Sequence, residues 1–176
     1  MSITSLAVFC GSHEGKNPLF VEDARKLGFL LASRKITLIY GGSSKGIMGA
    51  IADAMLERGG RVIGIMPKLL NGTEHSHYGI TELLETEDMH SRKKAMYAKA
   101  DAAMVLAGGY GTLDEFFEML TWNQLNIHDK KIYILNSGGF YDHLIRHLEV
   151  MESEGFLYKN VLEQVTILSR PEDFPI

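Results

Sequence analysis

Short apolar runs alternate with longer segments of helical period along this chain, and that alternation restricts its fold more than any other feature. Ser5–Cys10, Ile36–Tyr40, Arg61–Met66, Ala102–Leu106 and Lys131–Leu135 read as strands. Between and after them, Pro18–Ser33, Ile47–Arg58, Met89–Lys99, Thr112–Asn126 and Tyr141–Glu154 read as helices, while Leu70–Gly79 has the irregular pattern of a loop. Apolar, β-branched strands separated by helices imply a parallel sheet buried on both faces. The expected fold class is therefore α/β: one Rossmann-like, doubly wound parallel sheet with helices on both faces. A chain of 176 residues suffices for one well-buried domain and is short for two. With no internal repeat, low-complexity run or linker in view, residues 1–176 are expected to form a single nucleotide-binding domain.

In such a sheet the ligand lies beyond the carboxyl ends of the strands. That rule gathers four loops: Gly11–Asn17, Gly41–Gly46, Pro67–Gly79 and Ala107–Thr112. The last is the most telling. Ala107-Gly108-Gly109-Tyr110-Gly111-Thr112-Leu113-Asp114-Glu115 joins a strand to a helix, and its glycines allow a tight turn and close approach of a ligand to the backbone. Free N–H groups at the start of the following helix favour an anion there. Thr112 adds a hydroxyl, and Glu115 follows it at capping-box spacing. Taken alone, the run reads equally well as a tight turn with a helix cap. The segment Met89-His90-Ser91-Arg92-Lys93-Lys94-Ala95-Met96 shifts the balance, because it sets cations just ahead of the same strand.

Other phosphate-binding patterns fit poorly. Neither Cys10-Gly11-Ser12 nor Gly41-Gly42-Ser43-Ser44-Lys45-Gly46 matches the dinucleotide fingerprint, and Ile47 stands where a P-loop requires lysine. Those loops read as small residues shaping a pocket wall. A net charge of −4 argues against a nucleic-acid coat, which needs a basic face. With Cys10 as its one cysteine the chain has no disulfide framework. The amino terminus lacks the basic and apolar regions of a signal peptide, and no apolar run approaches a membrane span. A soluble, cytoplasmic protein with no membrane and no nucleic-acid polymer as partner is expected.

Several segments in order carry a family resemblance: Phe9-Cys10-Gly11-Ser12, Tyr40-Gly41-Gly42, Gly46-Ile47-Met48-Gly49, Val62-Ile63-Gly64-Ile65-Met66-Pro67, Met89-His90-x-Arg92-Lys93, Gly108-Gly109-Tyr110-Gly111-Thr112-x-x-Glu115 and Thr121-Trp122-x-Gln124. From about Ser5 to Phe156 the chain resembles the LOG ("Lonely Guy") family of cytokinin riboside 5′-monophosphate phosphoribohydrolases, formerly labelled lysine decarboxylases. One departure is Ala107, where the family usually has proline; a slightly looser loop is the expected consequence.

The resemblance implies cleavage of the N-glycosidic bond of a small-molecule nucleoside 5′-monophosphate, giving free base and ribose 5-phosphate. By position, Arg92 and Glu115 are the family's catalytic residues. The implied substrate-binding set is Glu74, Arg92, Lys93, Gly109, Tyr110, Gly111, Thr112, Leu113, Asp114, Glu115 and Thr121. Glu115 would hold the ribose hydroxyls and stabilise the ribosyl cation or activate water; general base and electrostatic stabiliser both stay open. Arg92 would meet charge on the phosphate or on the departing base. Residue chemistry alone does not choose between Lys93 and Lys94, and without the resemblance Glu74 reads as a solvated loop carboxylate. A homodimer is implied as well, and a Met89–Lys99 helix bearing Met89, Met96 and Tyr97 is compatible with one.

No cofactor and no metal are expected. His13, His75, His77 and His90 show no zinc-ligand spacing. Trp122 and Phe116-Phe117 read as core or subunit interface, and Cys10 as a small apolar residue at a strand end. Two other classes stand beside the hydrolase. A nucleotide or molybdenum-cofactor carrier would bind without turnover, and the pairing of Arg92 with Glu115 argues against it. A pyridoxal-phosphate decarboxylase needs a Schiff-base lysine and a partner for the pyridinium nitrogen, a constellation the sequence does not present.

Overall fold

The computed structural model describes residues 3–70, 75–157 and 161–175. Seven parallel strands form one sheet in the order β4-β3-β2-β1-β5-β6-β7. In chain order the elements are β1 (Ser5–Phe9), α1 (Leu19–Ser33), β2 (Thr37–Tyr40), α2 (Gly46–Glu57), β3 (Val62–Pro67), β4 (Glu82–Thr86), α3 (Met89–Lys99), β5 (Ala102–Val105), α4 (Tyr110–Gln124), β6 (Ile132–Leu135), α5 (Asp142–Ser153), α6 (Val161–Gln164) and β7 (Val165–Leu168).

Side-chain alternation along each strand divides the core in two. Leu6, Val8, Leu38 and Tyr40 point toward α1 and α2, where they meet Leu27, Leu31, Ile51 and Met55. Ala7, Phe9, Ile39 and Val105 point the other way and pack with Met96, Tyr97, Phe116 and Met119 of α3 and α4. Most of these side chains are wholly buried, each worth about 1.5–3 kcal/mol for the larger aliphatics. The doubly wound α/β expectation is met. Met96 and Tyr97, which the sequence offered as compatible with a subunit interface, are instead buried in this chain's own core.

Two strands escape the periodicity reading. β4 pairs with β3 at one edge and carries Glu82, Glu85 and Thr86, so it shows no apolar run. β7 pairs with β6 at the other edge, and only its ends are buried. The helix expected from Thr112 begins at Tyr110.

The chain leaves β1 toward β2 on one side and returns through α3 to place β5 on the other. β1 and β5 therefore flank the point where strand order reverses, and a crevice opens beyond their carboxyl ends. The N–H of Gly11 donates to the carbonyl of Ala107 across it at 3.0 Å, tying the two loops together.

Candidate active site

Helix α3 brings the cation to the crevice. Asp88 caps it by accepting the Ser91 N–H at 2.7 Å, and these bonds hold the Asp88 carboxyl below the usual range. One turn in, Arg92 is 7% exposed and lies under the strand ends. Its Nε donates to the Ile65 carbonyl at 3.1 Å and its Nη2 to the Gly41 carbonyl at 3.2 Å. Two carbonyls from β3 and from the end of β2 thus fix the plane of the guanidinium.

Helix α4 brings the carboxylate. Its N-cap is Gly109, with no side-chain cap, so the N–H groups of its first turn have no intrahelical acceptor. The capping box expected of Thr112 and Glu115 does not form, because the helix starts two residues earlier and Thr112 is already its third residue. Thr112 is buried against Gly108, where a Cβ would lie 2.1 Å from its Oγ1. Gly109 and Gly111 behave differently: beyond its chain neighbours and the helix's own backbone, a Cβ on either would meet nothing within 4 Å. Their lack of a side chain keeps space open at the helix start, where both line the cavity.

Glu115 lies beyond the first turn, 7% exposed, with Oε1 4.0 Å from Nη1 of Arg92. Carboxylate and guanidinium attract at this distance, which is longer than a hydrogen bond. Cys10, at the end of β1, lines the same cavity. Burial, then the charge of Glu115, pushes its thiol pKa up against the opposing pull of Arg92, leaving it neutral.

The cavity measures about 500 Å³, within the range of small-molecule sites. Glu115, Arg92 and the loop Gly108–Thr112 supply its polar wall, and Phe20, Ile47, Met48 and Phe140 its apolar one. Gly11, Ser12 and Gly41 line it too, as the sequence suggested for their loops. Tyr110 stands at the rim, 95% exposed. Residues 75–79 of the third loop lie elsewhere: Ser44 N–H donates to His75 O at 2.8 Å, and His77 N–H to Gly42 O at 2.9 Å.

Arg92, Gly109, Tyr110, Gly111, Thr112 and Glu115 therefore meet around one cavity, whereas Lys93, Leu113, Asp114 and Thr121 are not among its lining residues. Lys93 is 8% exposed in its side chain and pairs with Asp114 at 2.9 Å and Glu118 at 3.3 Å. Burial opposes its charge, but the hydrogen bonds to the two carboxylates prevail and raise its pKa. Leu113 packs against the core, and Thr121 donates its hydroxyl to Phe117 O at 2.8 Å. Glu74 lies outside the described residues. Tyr97, offered by the sequence only for a subunit interface, and Glu118, which no motif marked, stand beside the Lys93–Asp114 ion pair: Tyr97 follows Lys93, and Glu118 follows Asp114, at the i,i+4 spacing of facing helical residues. Among the described residues no three of His, Cys, Asp or Glu come together as a metal site. Trp122 packs edge-on against Tyr97, with ring centroids 5.1 Å apart, and Phe116 is wholly buried.

Residues 48–175 match a family model described as "Possible lysine decarboxylase". A probable cytokinin riboside 5′-monophosphate phosphoribohydrolase of Oryza sativa subsp. japonica, LOGL1, is 45% identical over 86% of this chain and 68% of its own length. The Arabidopsis thaliana enzyme LOG7 is 43% identical over 86% of the chain and 70% of its own. The cytokinin riboside 5′-monophosphate phosphoribohydrolase of Rhodococcoides fascians is 40% identical over 87% and 78%. Among solved structures, a molybdenum cofactor binding protein from Rippkaea orientalis superposes with a TM-score of 0.72 at 24% identity, covering 98% of this chain and 93% of that one. That likeness speaks for the fold alone.

Proposed function

The chain belongs to the LOG family, and from that premise we propose that it is a cytokinin riboside 5′-monophosphate phosphoribohydrolase. The observation that carries the reading is the buried pair Arg92 and Glu115, 4.0 Å apart, beside an uncapped helix start in one cavity. The first-turn N–H groups of α4 and the hydroxyl of Thr112 receive the 5′-phosphate. This places the ribose against Glu115. As the C1′–N bond breaks, its electron pair leaves with the base; a water oxygen bonds C1′, and the proton that the water gives up balances the one taken up by the departing base nitrogen. Glu115 offers negative charge to the ribosyl cation and holds the 2′ and 3′ hydroxyls or the water. Arg92, already oriented by two carbonyls, meets negative charge on the phosphate or the departing base.

AMP and N6-modified AMP are the substrates this reading proposes, acted on by one nucleotide-binding domain in a cytoplasmic homodimer. No helix among the described residues is long and apolar enough to cross a membrane. The lysine decarboxylase chemistry in the family description needs a lysine amine at the reacting centre, and none of the described cavity-lining residues is a lysine.

The test is chromatographic release of free base from AMP and from N6-isopentenyl-AMP by wild type and Glu115→Gln. Release by wild type, reduced about 10²–10⁴-fold in the variant, supports the hydrolase and a role for Glu115. Nucleotide binding without release by either protein would favour a carrier.

A further inference from the structure

The loop that carries the glycines from β5 to α4 starts where the sheet stops. Ladder pairing of β5 ends at Val105, opposite Phe9 of β1 and Ile134 of β6, so Leu106 and Ala107 must find their hydrogen bonds singly. Toward β1, the Leu106 N–H donates to Phe9 O at 2.9 Å, and Ala107 O accepts the Gly11 N–H at 3.0 Å. The carbonyl of Leu106, a buried residue, is met by a side chain: the hydroxyl of Tyr141 donates to it at 2.7 Å. The Gly108 N–H turns toward the same phenol oxygen. One hydroxyl thus engages the backbone on both sides of Ala107. Burial, then the neighbouring Cys10, raises the Tyr141 pKa against the pull of that N–H, so the phenol keeps its proton and donates.

Tyr141 is itself held in place. It is the N-cap residue of α5 and 3% exposed, and its N–H donates to Asn136 Oδ1 at 2.8 Å. Its ring packs edge-on against Phe140, with centroids 4.7 Å apart. Phe140 lines the cavity, whereas Tyr141 is not among the lining residues, so its hydroxyl reaches the loop from behind. We propose that Tyr141 is a positioning residue for the phosphate loop, its hydroxyl fixing the backbone from Leu106 to Gly108 so that the N–H groups of Gly109–Thr112 converge on the 5′-phosphate. This rests on the hydrolase reading of the same cavity. A buried carbonyl deprived of its donor turns toward water or another donor. At Leu106 such a rotation would pass straight into the turn, because Ala107 has no ring to fix its φ and Gly108 no side chain to resist the change.

The experiment compares wild type with Tyr141→Phe and Tyr133→Phe, measuring kcat and KM for AMP and, by calorimetry, the affinity for ribose 5-phosphate. Thermal melting confirms that each variant is folded. Tyr141→Phe keeps the packed ring and removes only the hydroxyl. Tyr133→Phe makes the same change in the opposite half of the core, where the ring meets Phe174 at 4.9 Å, and serves as the control. The expected result for Tyr141→Phe is a ribose 5-phosphate affinity about tenfold weaker and a KM raised to match, with kcat changed less, while Tyr133→Phe stays near wild type. Unchanged ribose 5-phosphate affinity in folded Tyr141→Phe, or an equal loss in Tyr133→Phe, overturns the proposal. Should Tyr141→Phe not fold, Asn136→Ala decides: it frees the Tyr141 N–H and leaves the ring, and a loss of affinity beyond that of Tyr133→Phe upholds the proposal, whereas no loss sinks it. If wild type binds ribose 5-phosphate but releases no base, the hydrolase reading has failed and the calorimetry alone decides. If wild type does not bind ribose 5-phosphate, the loop is no phosphate site and the proposal falls.

Discussion

A Cβ at position 41 would lie 2.1 Å from Nη2 of Arg92, so the guanidinium occupies the space that a side chain on Gly41 would take. The same glycine accepts a hydrogen bond from that nitrogen at 3.2 Å. Backbone and side chain are thus fitted to each other at the floor of the crevice, between the end of β2 and helix α3.

Gly41→Ala is therefore expected to damage activity far more than folding. The clashing atoms, Nη2 of Arg92 and Sδ of Met48 at 2.8 Å, belong to the far ends of flexible side chains, which move at modest cost, about 1–3 kcal/mol on the scale of overpacking. Moving Nη2 takes Arg92 away from Glu115, and base release should fall about 10²-fold. Gly108→Ala should lose both, because the new Cβ would lie 2.1 Å from Thr112 Oγ1 and 2.9 Å from the Gly11 backbone nitrogen. Steady-state kinetics with urea unfolding of the two variants separates these outcomes; a Gly41→Ala enzyme of full activity contradicts the fit described.

Arg92→Lys should also fail, despite keeping the charge. The guanidinium spends Nε on Ile65 O and Nη2 on Gly41 O, two directions fixed by a planar fork. An ammonium cannot reproduce that fork, so the charge would not be held beside Glu115. A loss of at least about 10²-fold in kcat/KM is expected. Recovery of more than a tenth of wild-type activity would mean that charge alone, rather than orientation, is what the site requires.

The central fold and the reacting pair were legible in the sequence for different reasons. β1, β2, β3, β5 and β6 lie in the middle of the sheet, and burial on both faces leaves an apolar run that periodicity detects. Glu82 and Glu85 on β4, and the partly exposed middle of β7, belong to edges, where a strand owes its place to pairing with one neighbour. The juxtaposition of Arg92 and Glu115 came from motif resemblance, since no local period links residues 23 positions apart. What the motif did not carry was direction. Lys93 stands next to Arg92 in sequence, but along a helix adjacent residues point about 100° apart, so one faces the crevice and the other the α3–α4 seam. Thr112 misled for a local reason: threonine followed by glutamate at the third place signals a cap, whereas Gly109 begins the helix unaided.

Cys10 is expected to resist thiol reagents while the protein is folded. Its side chain is buried at the end of β1, and desolvation followed by the Glu115 charge raises its pKa beyond the range of ordinary thiols. The reactive thiolate is correspondingly scarce at pH 8. Labelling with a coloured disulfide reagent should be slower in native protein than in urea by a factor of 10² or more. Equal rates would show that the cavity leaves the sulfur accessible and ionised.

His128 should make the fold sensitive to mild acid. Its Nδ1 is hydrogen-bonded to Oδ1 of Asn123, whose amide nitrogen donates to Lys130 O at 2.8 Å; the imidazole therefore donates from Nδ1. Nε2 is buried without a partner among the described residues. A second proton would sit on that nitrogen with nothing to accept it. Burial first, and the nearby Lys130 charge second, lower the pKa of His128 below its ordinary 6.5, with Asp129 opposing. Because the folded value is depressed, the unfolded chain binds the proton more readily, and stability is lost as pH falls from about 6.5 through the lower folded value. Urea midpoints of wild type should therefore drop between pH 7 and pH 5 more steeply than those of His128→Gln, whose amide can donate to Asn123 without titrating. Parallel pH profiles for the two proteins would remove His128 from the acid response.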